Sequence, residues 1–203
     1  WFTLDFALDI QLGKDFQQTE FDFTYNNTRA LIFQGGLGKN FNFYTVAYEN
    51  QGRFADYYNR FAESLRPDGG DPAIIPGRGI AKPFMDEGYD YPVAEGYLSY
   101  KPNKFFNLQF GHGKNFIGDG YRSLLMSDNA SPYPYFKLNT TFWKLKYTNT
   151  WMSLRDVRPA VTENGSYRTK YMANHYLSYN VTKRLNIGLF ESVVWENDNN
   201  RGF

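Results

Sequence analysis

From Phe2 to Leu12 every second residue is apolar: Phe2, Leu4, Phe6, Leu8, Ile10 and Leu12, with Thr3, Asp5, Ala7, Asp9 and Gln11 between them. Side chains alternate across a strand, so one face is oily throughout and the other carries two carboxylates. The same period returns along the chain. Together with the turn signals it predicts about nine strands, near 2–12, 20–38, 41–50, 92–100, 105–113, 134–141, 144–155, 168–180 and 185–195. The second of these is long and is expected to bend or break at Asn26-Asn27.

The connections sort by length. Gly38-Lys39-Asn40, Lys101-Pro102-Asn103-Lys104, Thr141-Phe142-Trp143 and Val181-Thr182-Lys183-Arg184 read as tight turns, in which Gly, Pro and Asn supply the backbone geometry. Long connections over 51–91, 114–133 and 156–167 lie between them. Short turns at one end of a wall and long loops at the other are the organisation of an outer-membrane barrel, with short periplasmic turns and longer extracellular loops. Within 51–91, Phe54, Tyr57, Tyr58, Phe61 and Leu65 fall at helical spacing, and Arg66-Pro67-Asp68-Gly69-Gly70 is a strong stop. A short helix that caps the barrel mouth or fills the lumen is expected there.

The expected fold is therefore all-β: an antiparallel transmembrane β-barrel, with residues 1–203 forming part of one barrel domain, lipid outside and a polar lumen inside. Bacterial single-chain barrels have an even strand count, and lipid does not tolerate unpaired strand edges, so about nine strands describe an open, incomplete wall. The chain opens inside a strand without an initiator Met or signal peptide, and closes on a loop-like Asn199-Asn200-Arg201-Gly202-Phe203, so an internal piece of a longer protein is expected.

Composition modifies this picture little. A mean hydropathy of −0.59 and 21% charged residues look water-soluble, but half of each barrel strand faces water. No run of about 18 apolar residues offers a transmembrane helix. Aromatic residues make up 20% of the chain, with 19 Phe, 17 Tyr and 4 Trp, and Tyr and Trp favour a membrane boundary. An aromatic-rich soluble sandwich, including a carbohydrate-binding one, is the competing fold. A net charge of +1 implies no nucleic-acid partner. The absence of Cys excludes disulfides, zinc-thiolate sites and a thiol nucleophile. No cofactor is implied, and with only His112 and His175 no metal site is expected.

The densest candidate chemistry lies between Gly111 and Pro134. Gly118 and Gly120 permit a sharp turn; Asp119, Arg122 and Asp128 have the charges for a buried ion network; Tyr121, Ser123, Ser127 and Asn129 supply hydroxyls, an amide and a ring of the kind that bind a sugar. Ser123 or Ser127 with His112 and a nearby Asp128 or Asn129 also has the composition of a serine lipid hydrolase, although no spacing here is diagnostic. Asp119 and Asp128 do not have the spacing of a calcium loop. Gly35-Gly36-Leu37-Gly38 lacks the Lys-Ser/Thr of a phosphate loop, and Pro76-Gly77-Arg78-Gly79 reads as a constrained loop rather than a ligand site.

At Phe116-Ile117-Gly118-Asp119-Gly120 and Ser127-Asp128-Asn129-Ala130 the chain resembles the capsule assembly protein Wzi family, in its Bacteroidota branch, which includes the gliding motility protein RemB. The wider family carries Trp-Gly-x-Gly and Ser-x-Asn-Ala at these places; Phe116-Ile117 replaces the Trp. Asn27-Thr28-Arg29, Glu49-Asn50-Gln51, Pro76-Gly77-Arg78-Gly79, His175-Tyr176-Leu177-Ser178 and Phe190-Glu191-Ser192 extend the resemblance over almost the whole chain. It implies a Gram-negative outer-membrane barrel without catalysis that attaches or assembles surface polysaccharide, or serves gliding motility and surface adhesion. Its implied partners are outer-membrane lipid, surface polysaccharide and other outer-membrane proteins in a larger envelope complex. A passive channel is a further class.

Charge on the lipid side costs roughly 2–4 kcal/mol at the midplane. Asp5, Asp9, Lys144, Lys146 and Lys170 are accordingly expected on the lumen side, mainly as paired contacts to a plug. Glu191 breaks the alternation of Leu185, Ile187 and Leu189, and a bulge near Phe190 is expected to turn it inward with them.

Overall fold

The computed structural model describes residues 1–17, 23–67, 73–85, 87–158 and 165–198. Nine long strands realise the alternation: β1 (Phe2–Gly13), β2 (Thr24–Leu37), β3 (Phe41–Arg53), β7 (Val93–Tyr100), β8 (Phe106–Gly113), β9 (Tyr133–Phe142), β10 (Leu145–Asp156), β11 (Arg168–Asn180) and β12 (Asn186–Glu196). Each is antiparallel to its neighbours, in the order β1-β2-β3-β7-β8-β9-β10-β11-β12. The sheet curls into a half-barrel. Among the described residues β1 pairs only with β2 and β12 only with β11, so both edges are open.

The tight turns close as short links. Gly38 adopts φ +64, which its missing Cβ permits without strain. The β9–β10 hairpin turns at Trp143-Lys144 rather than over 141–143. Thr141 and Phe142 pair with Lys146 and Leu145, and Trp143 takes the left-handed backbone instead, at φ 54.

The convex face is oily. The apolar row of β1 is 60–77% exposed, and Leu31, Phe33 and Leu37 of β2 continue it. Aromatic contacts tie neighbouring strands: Phe33 to Phe43 at 5.0 Å, Phe136 to Trp151 at 5.6 Å and Tyr171 to Trp195 at 5.9 Å. Away from the tight turns this face becomes polar on β2 and β3, where Arg29 donates to Gln51 at 3.0 Å beside Glu49.

The concave side holds everything else. Helix α1 (Asp56–Ser64) packs with β4 (Ala73–Ile75), β5 (Gly79–Phe84) and β6 (Gly88–Asp90) around Ala62, Ile75, Ala81, Tyr89 and Tyr91. This flap joins the wall where Gln51 and Gly52 of β3 meet Asp90 and Tyr89 of β6. Ala55 offers no side chain to cap α1, and the carboxylate of Asp15, beyond β1, accepts the Asp56 N–H at 3.2 Å instead. The stop over Asp68-Gly69-Gly70 and the closing 199–203 lie outside the described residues. Across the wall, Met126 of the 114–132 connection packs on Tyr133, Tyr135 and Met152.

Two expectations are corrected. The second strand is unbroken from Thr24, and Asn26 and Asn27 pair with Gln11 and Ile10. The Asn26 side chain is satisfied inside the fold, where it accepts the Tyr91 hydroxyl, so nothing drives a break. Nor is there a bulge at Phe190: register runs through Tyr176↔Phe190, His175↔Glu191 and Asn174↔Ser192. Glu191 therefore stands on the convex face. Its row carries His175 and Asn149, and the His175 imidazole lies 2.6 Å from the Asn149 amide oxygen and 3.1 Å from the Tyr147 hydroxyl. A polar row across three strands receives the carboxylate.

The joint between flap and wall is a polar clip. Buried Asn50 accepts the Thr28 hydroxyl at 2.8 Å and donates to the Tyr91 carbonyl at 3.0 Å, while the Tyr91 N–H returns to the Asn50 carbonyl at 3.0 Å. Asn50→Ala strips the Tyr91 carbonyl of its side-chain donor and the Thr28 hydroxyl of its acceptor, a loss of about 1–3 kcal/mol for each buried polar group left unsatisfied. Limited proteolysis should then cut the 54–92 segment several-fold faster, with the strand wall still folded but losing some heat stability.

Candidate functional site: a cleft at the rim of the wall

The long connections meet beyond the strand ends opposite the tight turns, around a cleft of about 770 Å³. Its floor and sides come from three places: Phe61 and Leu65 of α1 with Pro76, Gly77 and Arg78 of the β4–β5 turn; Asn129, Ala130, Ser131 and Pro132 before β9; and Leu154 and Arg155 of β10 with Thr169 and Lys170 of β11. Arg78 also lines a smaller cavity of about 320 Å³ with Asn26, Tyr57, Tyr58 and Tyr91.

Neutral contacts hold these parts in place. Tyr58 donates its hydroxyl to the Pro76 carbonyl at 3.1 Å, and Tyr167 donates to the Leu65 carbonyl at 2.7 Å, bridging the last long connection to the end of α1. The Lys114 ammonium donates to the Gly77 carbonyl, and burial pushes its pKa below the ordinary lysine value. At the far end of α1, Glu63 takes Arg66 at 2.7 Å and the Tyr89 hydroxyl at 2.7 Å. The Arg66 hydrogen bond holds the Glu63 carboxyl below its usual range, and burial raises Tyr89. Burial likewise pushes Tyr91 up to about 12.

Of the residues that the sequence marks, His112, Asn129 and Lys170 line the cleft, and so does the Pro76-Gly77-Arg78-Gly79 loop, which the sequence suggested was no ligand site. The others of the 118–129 stretch do not converge on it. Asp119, Arg122 and Asp128 are exposed and form no ion pair with one another among the described residues, so the expected buried network is absent; the Arg122 guanidinium instead lies 5.7 Å over the Tyr121 ring. Tyr121 is 92% exposed at the outside of the loop. Gly118 has φ +134, and a Cβ there would strike the Ser123 hydroxyl. Gly120 adds flexibility beside it without a left-handed backbone. Ser123 is spent on the loop itself: it donates to the Ile117 carbonyl and accepts the Leu125 N–H at 3.1 Å. Ser127 accepts the Asn129 N–H at 3.5 Å. Both imidazoles bond elsewhere, His112 to the Ala94 carbonyl at 2.7 Å and His175 to Asn149, so no serine–histidine pair forms among the described residues.

The charges assigned to the inner face divide. By register Asp5, Asp9 and Lys146 lie on the concave side with Thr28 and Thr148, and none has an ion-pair partner among the described residues; Asp9 accepts Gln11 at 2.9 Å. Lys170 stands 3.9 Å from Asp156, whose carboxylate is mainly held by Arg158 at 2.6 Å. Lys144 is not in the wall: it sits in the tight turn and donates to the Val181 carbonyl at 3.2 Å. Lys137, not singled out in the sequence, reaches inward to the Asn115 side-chain oxygen at 2.6 Å. No protein-family model, characterised protein or solved structure matches the chain.

The Glu63 carboxylate contributes to the α1–flap contact while it is ionised. Because its folded pKa is lowered, that contribution is present above the ordinary glutamate value of about 4.3 and fades as pH falls through the lowered value. Hydrogen exchange of 73–91 should accelerate below about pH 4, and Glu63→Gln should remove that dependence while costing under about 1 kcal/mol, as expected for a half-exposed pair.

Proposed function

We propose that the chain forms part of an outer-membrane β-barrel that holds surface polysaccharide at the cell exterior, without catalysis. The observation that carries this reading is the convex face. Six alternating apolar side chains on β1 are left exposed, and each such side chain gains about 1.5–3 kcal/mol when fully removed from water. Lipid supplies that environment along a whole wall. Tyr179 and Tyr171 on β11, and Ile187 and Trp195 on β12, stand eight positions apart, about 26 Å along the strand and roughly 20 Å of membrane depth at the usual barrel tilt. Among the described residues no helix is long and apolar enough to cross a membrane.

The polysaccharide part rests on the rim cleft, on its aromatic and amide lining, and on the resemblance of 116–120 and 127–130 to the Wzi family. The described plug segments, α1 and the 114–132 connection, cover the concave side, which favours a binding wall over an open channel. Serine hydrolysis finds no support in the geometry, because Ser123 is occupied within its own loop, His112 bonds the Ala94 carbonyl and His175 bonds Asn149.

Deletion of the full-length gene should shed polysaccharide from cells that still spread normally on agar. Lost spreading with polysaccharide retained would assign the barrel to gliding motility and adhesion, and no change in either would sink the functional reading. The membrane reading has its own test. Phe6→Arg on the convex face should destabilise the protein folded in phospholipid vesicles by about 2–4 kcal/mol in urea titration, whereas Ala7→Arg, one position on and facing inward, should cost far less.

A further inference from the structure

We infer that the rim cleft takes an acidic oligosaccharide and reads its carboxylates through Arg78 and Lys170, with Arg155 at its outer edge. This rests on the polysaccharide reading above and adds the charge of the ligand. The described lining of the cleft contains three cationic side chains and no Asp or Glu. Of the carboxylates near it, Asp56 pairs with Arg60, Glu63 with Arg66, and Asp156 and Glu196 with Arg158, while Glu95 and Asp128 act on Lys114 beside the cleft. Arg78 has no hydrogen-bond or ion-pair partner for its guanidinium among the described residues. Arg155 touches only neutral acceptors, the Thr169 hydroxyl at 3.3 Å and the Tyr167 carbonyl at 3.5 Å. Lys170 has only a distant share of Asp156, at 3.9 Å.

An excess of cations in a concave site is what an anion requires. A guanidinium offers a planar fork that matches a carboxylate and an ammonium a compact second charge, so Arg78 on one side of the cleft and Lys170 on the other suit a chain with a carboxylate on successive sugars. Phe61, Tyr133 and the prolines offer apolar surface for the C–H faces of the rings, and Asn129 and Ser131 supply hydrogen bonds to hydroxyls. The volume lies in the usual range for ligand sites, about 300–1,000 Å³.

The test is calorimetry on the full-length protein in detergent, with a hexagalacturonate and an uncharged maltohexaose of equal length. Hexagalacturonate should bind at least ten-fold tighter, and its affinity should fall with added salt. Arg78→Gln with Lys170→Gln should weaken it ten- to a hundred-fold without changing the heat-dependent gel mobility of the folded barrel. Equal binding of the two sugars would overturn the acidic assignment while leaving polysaccharide retention standing. Competition by inorganic phosphate that displaces hexagalacturonate at lower concentration than galacturonate monomer would overturn it in favour of a phosphate headgroup. Failure of both sugars to bind would overturn it outright. Failure of the retention reading shows separately, as unchanged polysaccharide on deletion cells.

Discussion

A strand has two faces and no third, and this chain spends one of them on apolar side chains. Everything polar must then go to the other face or to the strand ends. The backbone is satisfied within the ladder, which asks nothing of its surroundings except at the two open edges. The convex side can therefore be oily over the full length of β1, and the helix, the flap and the 114–132 connection have only the concave side on which to pack. The architecture follows from that division.

The interior that results is unlike the core of a soluble sandwich. Its buried residues include Asn26, Thr28, Asn50, Thr148, Thr150 and Asn174 beside Val46 and Met152. Such groups are tolerable only when they answer one another. Thr28 answers Asn50 and Thr148 answers Asn139, both at 2.8 Å, and Asn174 donates to the Met126 sulfur while its side-chain oxygen has no partner among the described residues. These contacts cost the fold little and give it specificity: the flap can seat only where Tyr91 meets Asn50 and Asn26. Among the described residues the buried apolar side chains gather mainly in two small clusters, one beneath the helix and one beneath Met126.

The wall was legible in the sequence because its signal is local. Alternation marks each long strand to within a few residues, and Gly38 or Asn103 announces a turn without reference to distant chain. The flap was not legible, since Ala73–Ile75 is buried on both faces and shows no alternation, and Gly77, Gly79 and Gly88 read as loop. Glu191 was misread for a related reason. Judged along its own strand it is an isolated charge in an apolar row, and only the β11 register brings His175 beside it. The cleft escaped for the same cause: Arg78 read as part of a constrained loop and Lys170 as a plug contact, and nothing along the chain brings these two separate segments together. The 118–129 stretch drew attention through its density of Gly, Ser and Asp, yet most of those residues serve the turns of their own loop.

The three cations are not held alike, and this governs how the cleft can act. Lys170 faces inward from a wall strand, where the β10–β11 ladder fixes its place opposite Leu154, while Arg155, paired with Thr169, stands on the other face at the rim. Arg78 rides on the flap, whose position depends on the Asn50 clip, the Tyr58–Pro76 contact and the Lys114 bond to the Gly77 carbonyl. The gap between Arg78 and Lys170 is therefore set by polar contacts remote from the ligand. A site whose donors are fixed before binding gives up less free energy to ordering than one assembled on contact. The buried asparagines that seat the flap thus act on affinity through geometry, and loosening them should weaken a carboxylate ligand before it loosens the wall.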